Sequence, residues 1–80
     1  MTAAIKSASE AAAPEIAIEV NAELQRVRAG KLADVLVALG YGGQKVATAL
    51  NGAFVPERMR TETPVASGDR IEILSARQGG

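Results

Sequence analysis

The chain has 80 residues and a formal net charge of zero, and it contains no Cys, His or Trp. Without Cys or His there is no Ser-His or Cys-His nucleophile, no zinc site of the usual nitrogen or sulfur type and no disulfide framework. The balanced charge and the two aromatic residues argue against nucleic-acid binding, and no apolar run is long enough to cross a membrane.

The nine Asp and Glu residues do not supply a recognisable acid–base pair. No two of them stand in an apolar, pocket-like context that would separate their proton affinities, so we interpret them as solvated surface charge. The chain is therefore not expected to be an enzyme. Its length permits one domain with a small core.

The first 14 residues are rich in Ala and Ser and show no sustained apolar periodicity. We predict a flexible N-terminal extension over residues 1–14, because an isolated helix this short is marginal in water and Pro14 would stop it. A secretory signal is disfavoured because Ser7, Ser9 and Glu10 interrupt any apolar stretch. A cytoplasmic location is the resulting expectation.

Residues 16–28 are predicted to form a β-hairpin. Apolar residues of the first strand alternate with small or polar ones, which is the period of a half-buried strand: Ile16, Ile18 and Val20. A weaker pattern runs from Leu24 to Arg28, and Asn21-Ala22-Glu23 turns the chain between them. Ala22 stands where a tight primed turn favours a glycine with positive φ, so the turn is either of a longer type or strained.

The clearest helix signal lies between Lys31 and Leu39. Four apolar residues at i, i+3, i+4 and i+7 form one stripe, which is core and not a ligand site: Leu32, Val35, Leu36 and Leu39. Gly40 suits the left-handed C′ position, and Tyr41 supplies a hydrophobic residue for such a cap. No good N-cap residue precedes the helix, so its first turn is expected to fray.

Three further strands are predicted in the second half of the chain. Residues 46–50 have a β-like pattern, Asn51-Gly52 is a strong turn dipeptide, and residues 53–55 form a short strand ended by Pro56. Residues 57–65 are polar and are expected to be irregular, with a helical turn. The last strand is the alternating run at residues 70–74.

The order strand, strand, helix, strand, short strand, strand predicts an α+β fold. We expect a mixed sheet of four to five strands with one main helix on one face, and with the first and last strands parallel at its centre. Ile71 and Ile73 of the last strand would face the helix. This is the β-grasp, or ubiquitin-like, arrangement, which we assign to residues 15–75.

Beyond this domain, residues 76–80 are predicted to form a flexible tail that ends in Gly79-Gly80. Glycines lack Cβ atoms, so they can lie in a channel too narrow for any side chain. The terminal carboxylate of Gly80 is ionised at neutral pH and unreactive until it is activated, so chemistry at this end requires a partner enzyme. A frayed end without chemistry is the alternative interpretation of the tail alone.

Three stretches have an informative order and spacing: ALNGAFVP at residues 49–56, GDRIEI at residues 68–73, and the Gln78-Gly79-Gly80 ending. Together they resemble the ThiS family of thiamine-biosynthesis sulfur carriers, and the likeness covers about residues 16–80. Two positions depart from the family pattern. Ala22 replaces a glycine often found in the first hairpin, and Glu57 stands where a basic residue is usual.

The resemblance implies that the chain is a protein cosubstrate with no cofactor and no metal of its own. A ubiquitin-activating-like adenylyltransferase would use ATP to adenylate the carboxylate of Gly80. A sulfur donor, either a cysteine desulfurase or a persulfide relay, would displace AMP and leave a thiocarboxylate, from which thiazole synthase would take the sulfur. Gly80 would carry the sulfur, Gly79 would keep the thread slim, and Gln78 and Arg77 would space it from the body.

Alternatives remain open on the sequence. The small subunit of molybdopterin synthase and other Gly-Gly sulfur carriers, including those that serve cysteine synthesis, share the fold and the ending. A ubiquitin-like modifier or interaction module belongs to a different class, and a modifier would form an isopeptide bond from Gly80 to a lysine of another protein. The sheet face opposite the helix and the root of the tail are the expected contact surfaces for an activating enzyme.

Overall fold

The computed structural model describes residues 13–75, so most of the predicted extension and all of the predicted tail at 76–80 lie outside the described residues. The described elements, in chain order, are β1 (Glu15–Val20), β2 (Glu23–Arg28), β3 (Gly30–Lys31), α1 (Leu32–Ala38), β4 (Val46–Leu50), β5 (Ala53–Val55), a 3₁₀ helix (Glu57–Glu62), β6 (Pro64–Val65) and β7 (Arg70–Ser75). The five predicted strands and the predicted helix agree with these bounds to within one residue at each end.

The main sheet has five strands in the order β2-β1-β7-β4-β5. Its central pair, β1 and β7, is parallel, with Glu19 opposite Arg70 and Val20 opposite Ile71. The other neighbouring strands are antiparallel. The predicted α+β fold, a β-grasp with its first and last strands parallel at the centre, is confirmed.

The core lies between this sheet and α1. Leu32 and Ile71 are fully buried, and Val35 and Ile18 are almost so. The predicted stripe on α1 therefore packs against alternate residues of β1 and β7, as its period requires. Leu39, the last residue of that stripe, is only partly buried at the edge of the cluster.

Both ends of α1 are fixed by identifiable hydrogen bonds. At the C-terminus Gly40 has φ 96°, its N–H donates to the Val37 carbonyl at 3.0 Å, and the Tyr41 N–H donates to the Leu36 carbonyl at 2.8 Å. This is the Schellman pattern, which agrees with the predicted role of Gly40. At the N-terminus the Asp34 carboxylate accepts from the Lys31 backbone N–H at 3.2 Å, so the first turn is held where fraying was expected.

Two short strands were missed by the sequence patterns. β3 pairs with β6 in a separate antiparallel sheet, with Gly30 opposite Val65. The Leu32 N–H also donates to the Thr63 carbonyl at 2.7 Å, so the segment expected to be irregular is tied to the start of α1. A two-residue strand is too short to show any periodicity, which explains why neither was predicted.

The end of the predicted N-terminal extension already belongs to the hairpin. The Pro14 carbonyl accepts from the Ala29 N–H at 2.7 Å, one step beyond the pairing of Glu15 with Arg28. Pro14 is therefore hydrogen-bonded to the hairpin, although the predicted domain begins at residue 15.

Candidate functional site at the end of the central strand

The predicted site residues Arg77, Gln78, Gly79 and Gly80 lie outside the described residues. What the structure describes is the strand that leads to them, β7, which is flanked by β1 and β4 at the middle of the sheet. Its last residue, Ser75, lies opposite Val46 of β4. The predicted tail is therefore attached to the most enclosed strand of the sheet and not to an edge.

Side chains of β7 alternate between the core and the opposite face of the sheet. Ile71 and Ile73 are buried against the core, whereas Leu74 is 69% exposed. Because successive side chains of a strand point to opposite faces, Leu74 lies on the face that α1 does not cover. A large apolar side chain is thus presented to solvent one residue before the described chain ends.

Leu74 belongs to an apolar cluster that spans three strands, which we call the outer-face patch: Ala47, Ala49, Phe54 and Leu74. Ala47 lies opposite Leu74, and Ala49 lies opposite Phe54, which is also 69% exposed. The two alanines form a low floor between the two larger side chains. Single exposed apolar residues are ordinary, whereas a group of neighbouring ones is a candidate interaction surface.

Charged residues border the outer-face patch. Glu72 lies opposite Ala49 and next to the patch, and Arg70 lies opposite Glu19 on the neighbouring strand. A shallow depression runs beside the patch and is lined by Glu19, Asn21, Ala22, Arg70, Glu72 and Leu74. An apolar centre with a polar border is the usual anatomy of a protein–protein interface.

Two asparagines hold β7 from the turns at its two sides. Asn51 accepts the Arg70 N–H through Oδ1 at 2.9 Å and donates through Nδ2 to Asp69 Oδ1 at 3.1 Å, at the start of the strand. Asn21 accepts the Ile73 N–H through Oδ1 at 2.8 Å and donates through Nδ2 to the Ile73 carbonyl at 3.1 Å, near its end. Both have left-handed backbones, with φ 50° and 52°, which asparagine adopts more readily than most residues.

A second set of hydrogen bonds supports β4, the strand that pairs with the end of β7. β5 ends at Val55, opposite Thr48, so it offers no partner to Val46. The side chain of Arg60 supplies the hydrogen bond that β5 does not, because the Arg60 Nη2 donates to the Val46 carbonyl at 2.6 Å. The Arg60 Nε donates to Thr48 Oγ1 at 3.1 Å. Thr48 Oγ1 in turn donates to the Val55 carbonyl at 2.9 Å, which satisfies this buried hydroxyl.

The described residues contain no constellation that performs chemistry by itself. Within residues 13–75, no group of three or more His, Cys, Asp or Glu side chains is placed to hold a metal ion. No helix in this part of the chain has the length and apolar character needed to span a bilayer. What these residues offer is a candidate docking surface beside the strand that leads to residues 76–80.

Several residues of this site were not predicted from the sequence. The alternation at residues 70–74 places Leu74 on the other face of the strand from Ile71 and Ile73. Its exposure could therefore have been predicted from the pattern. Phe54 joins Leu74 only through the register of two strand pairs, which the sequence does not show. Asn21 was interpreted as a turn residue alone, because its partner Ile73 lies 52 positions further along the chain.

Comparison with known proteins agrees with this geometry. Among curated proteins, none matches the chain. One solved structure that resembles it is the thiamine biosynthesis protein (ThiS) from Geobacter metallireducens, with 26% sequence identity, a TM-score of 0.69, and coverage of 81% of this chain and 100% of that one. The model of the ThiS family matches residues 18–80, which is most of the sequence and includes its Gly-Gly ending, so the chain belongs to the ThiS family.

Proposed function

We propose that this chain is a sulfur carrier of thiamine biosynthesis and that the sulfur is carried on the carboxylate of Gly80. The observation that carries the proposal is the family match, which continues beyond the folded domain to the final glycine. The similar structure from Geobacter metallireducens, itself a thiamine biosynthesis protein, supports the same pathway. The placement of β7 at the centre of the sheet supplies a rigid base for the carrying end.

In the proposed reaction, a ubiquitin-activating-like adenylyltransferase binds ATP and supplies the catalytic groups. A carboxylate oxygen of Gly80 attacks the α-phosphate, pyrophosphate leaves, and an acyl-adenylate forms. The terminal sulfur of a persulfide, on a cysteine desulfurase or a relay protein, then attacks the acyl carbon and AMP leaves. A thiol reduces the sulfur–sulfur bond of this acyl persulfide, which leaves a thiocarboxylate on Gly80 and a disulfide on the donor side. Thiazole synthase is the proposed acceptor of that sulfur.

The chain contributes binding and presentation to this sequence. The outer-face patch provides apolar contact area for the activating enzyme, and its border charges fix the orientation of docking. Five residues separate Ser75 from the end of the chain, so an extended tail reaches about 17 Å. An enzyme that docks on the patch must therefore place its nucleotide within that distance of Ser75. Gly79 has no side chain and so keeps the tail narrow, and Gln78 and Arg77 separate the two glycines from the folded domain.

No cofactor is required on the chain itself, since ATP is bound by the activating enzyme. The dependence on ATP and on several enzymes makes the cytoplasm the expected compartment. The same chemistry would serve a molybdopterin or cysteine pathway, so the identity of the acceptor enzyme distinguishes these from thiazole synthesis.

The proposal is tested by pyrophosphate exchange with the adenylyltransferase encoded by the same organism. We expect exchange of labelled pyrophosphate into ATP that depends on the full chain and disappears when Gly80 is deleted. A chain that supports no exchange with that enzyme contradicts the proposal. A Gly80-dependent isopeptide bond to lysines of other proteins would instead identify a modifier, and affinity capture followed by peptide mapping detects it.

A further inference from the structure

The pairing between β1 and β7 stops before β7 ends. Their parallel pairing stops where Val20 lies opposite Ile71, and the last ladder bond on this side runs from the Asn21 N–H to the Ile71 carbonyl at 2.9 Å. β7 continues for four more residues, to Ser75. At Ile73 the main chain of the neighbouring strand has already turned away into the hairpin with β2.

The side chain of Asn21 replaces the missing strand at this point. Its amide accepts the Ile73 N–H at 2.8 Å and donates to the Ile73 carbonyl at 3.1 Å. A carboxamide carries the same acceptor and donor as a peptide group, so the side chain prolongs the sheet where the backbone has left it. The left-handed backbone at Asn21, with φ 50°, both reverses the chain and aims the amide at β7.

We propose that Asn21 is a positioning residue for the activation of Gly80, an inference that rests on the proposed function. On the other side of β7, Leu74 and Ser75 pair with Ala47 and Val46 of β4. The Asn21 amide bonds to Ile73 from the β1 side, so the end of β7 has hydrogen-bonding partners on both sides. Removing the amide takes away the hydrogen bonds that hold Ile73 on the β1 side, so the end of β7 can tilt more easily about its pairing with β4.

The tail amplifies such a pivot only while the activating enzyme holds it extended. In that bound state it spans about 17 Å, so a tilt of about 10° at Ser75 relative to the docked domain displaces its tip by about 3 Å. Misplacing reacting groups by as little as about 1 Å can lower a rate by roughly a hundredfold. The effect should be larger on the turnover of the bound complex than on docking. Asn21 lines the depression beside the outer-face patch, but its amide is already bonded to Ile73 and the apolar side chains of the patch are unchanged by its removal.

The test compares Asn21→Gly with Asn51→Gly. Glycine adopts left-handed φ readily, so both substitutions keep the turn while removing the amide, and both raise the entropy of the unfolded chain to the same extent. Asn51 is a matched control, because it occupies the same position of a two-residue turn and also makes two side-chain hydrogen bonds, to the Arg70 N–H at the start of β7 and to Asp69 just before it. Both variants should be destabilised, and Asn21→Gly somewhat more, because its two bonds are partly buried whereas those of Asn51 are exposed. Only Asn21→Gly should lower kcat for adenylation, by roughly tenfold or more, while KM changes less than about twofold.

Equal kcat losses in the two variants, or an unchanged kcat in Asn21→Gly, would overturn the proposal. Amide hydrogen exchange on the free chain supplies a second readout that does not depend on the enzyme. Exchange at Leu74 should be faster in Asn21→Gly than in Asn51→Gly, and equal exchange rates also refute the role assigned to Asn21. A wild-type chain that is not adenylated would defeat the proposed function, and the exchange comparison would still decide whether Asn21 fixes the end of β7.

Discussion

Replacing Ala22 with glycine should stabilise the protein. Ala22 is the second residue of the two-residue turn between β1 and β2, and its φ is 72°, in the left-handed region. This backbone costs an L-residue about 1–2 kcal/mol, because Cβ approaches the following carbonyl oxygen. Ala22→Gly removes that cost. It also raises the entropy of the unfolded chain, which lowers the free energy of unfolding by about 0.4–1 kcal/mol. The expected net gain is about 0.5–1 kcal/mol, or roughly 2–8 °C in Tm for a domain of this size.

The turn between β4 and β5 provides the reverse experiment. It also has two residues and positive φ at both, 52° at Asn51 and 87° at Gly52, so the two turns share one geometry. A Cβ added at Gly52 would have no atom within 4 Å, so Gly52→Ala introduces backbone strain without a steric contact. This substitution should lower the free energy of unfolding by about the amount that Ala22→Gly raises it.

Urea and thermal unfolding, followed by circular dichroism, measure both effects. The urea m-values of the variants should equal that of the parent, since neither substitution changes the surface exposed on unfolding. A neutral or destabilising Ala22→Gly beside a destabilising Gly52→Ala would show that Ala22 is not strained and that the first turn differs from the second. Neutral results at both positions would refute the strain argument altogether.

Further predictions follow from the core and from the outer-face patch. Leu36→Ala should cost about 2–5 kcal/mol in a urea titration, because this side chain of α1 is buried between helix and sheet; a loss below about 1 kcal/mol would contradict the core assignment. Phe54→Ala and Leu74→Ala should each raise KM for the activating enzyme by roughly fivefold or more and leave Tm nearly unchanged, since both side chains are exposed. Leu24→Ala is the control, because Leu24 is 70% exposed on β2, at the far edge of the sheet from the patch; a similar rise in KM for this variant would refute the location of the patch.

Local periodicity was sufficient to predict the main elements of this fold. The alternation in β1 and β7 and the stripe on α1 each reflect burial of one face, so the sequence contains the information directly. The parallel centre of the sheet followed from the order of elements. The sequence left two alternatives for the first hairpin turn, a longer turn or a tight turn with strain at Ala22. The left-handed φ values at Asn21 and Ala22 show that the turn is tight and strained.

Features that depend on contacts between distant residues were not predictable in this way. The bonds from Asn21 to Ile73 and from Arg60 to Val46 join side chains to backbone groups that no local pattern connects. The outer-face patch likewise depends on strand register. The chemistry proposed for residues 76–80 was inferred instead from the Gly-Gly ending and its resemblance to a family, and it stays a prediction.

Whether Gly80 carries sulfur can be measured by intact-protein mass spectrometry. The chain is incubated with ATP, the adenylyltransferase and a persulfide sulfur donor, and fragmentation then locates any change in mass. We expect a gain in mass equal to the replacement of one oxygen by sulfur, confined to Gly80 and absent when ATP is omitted. An unchanged terminus, under conditions in which the enzyme and donor convert another sulfur carrier, would contradict it.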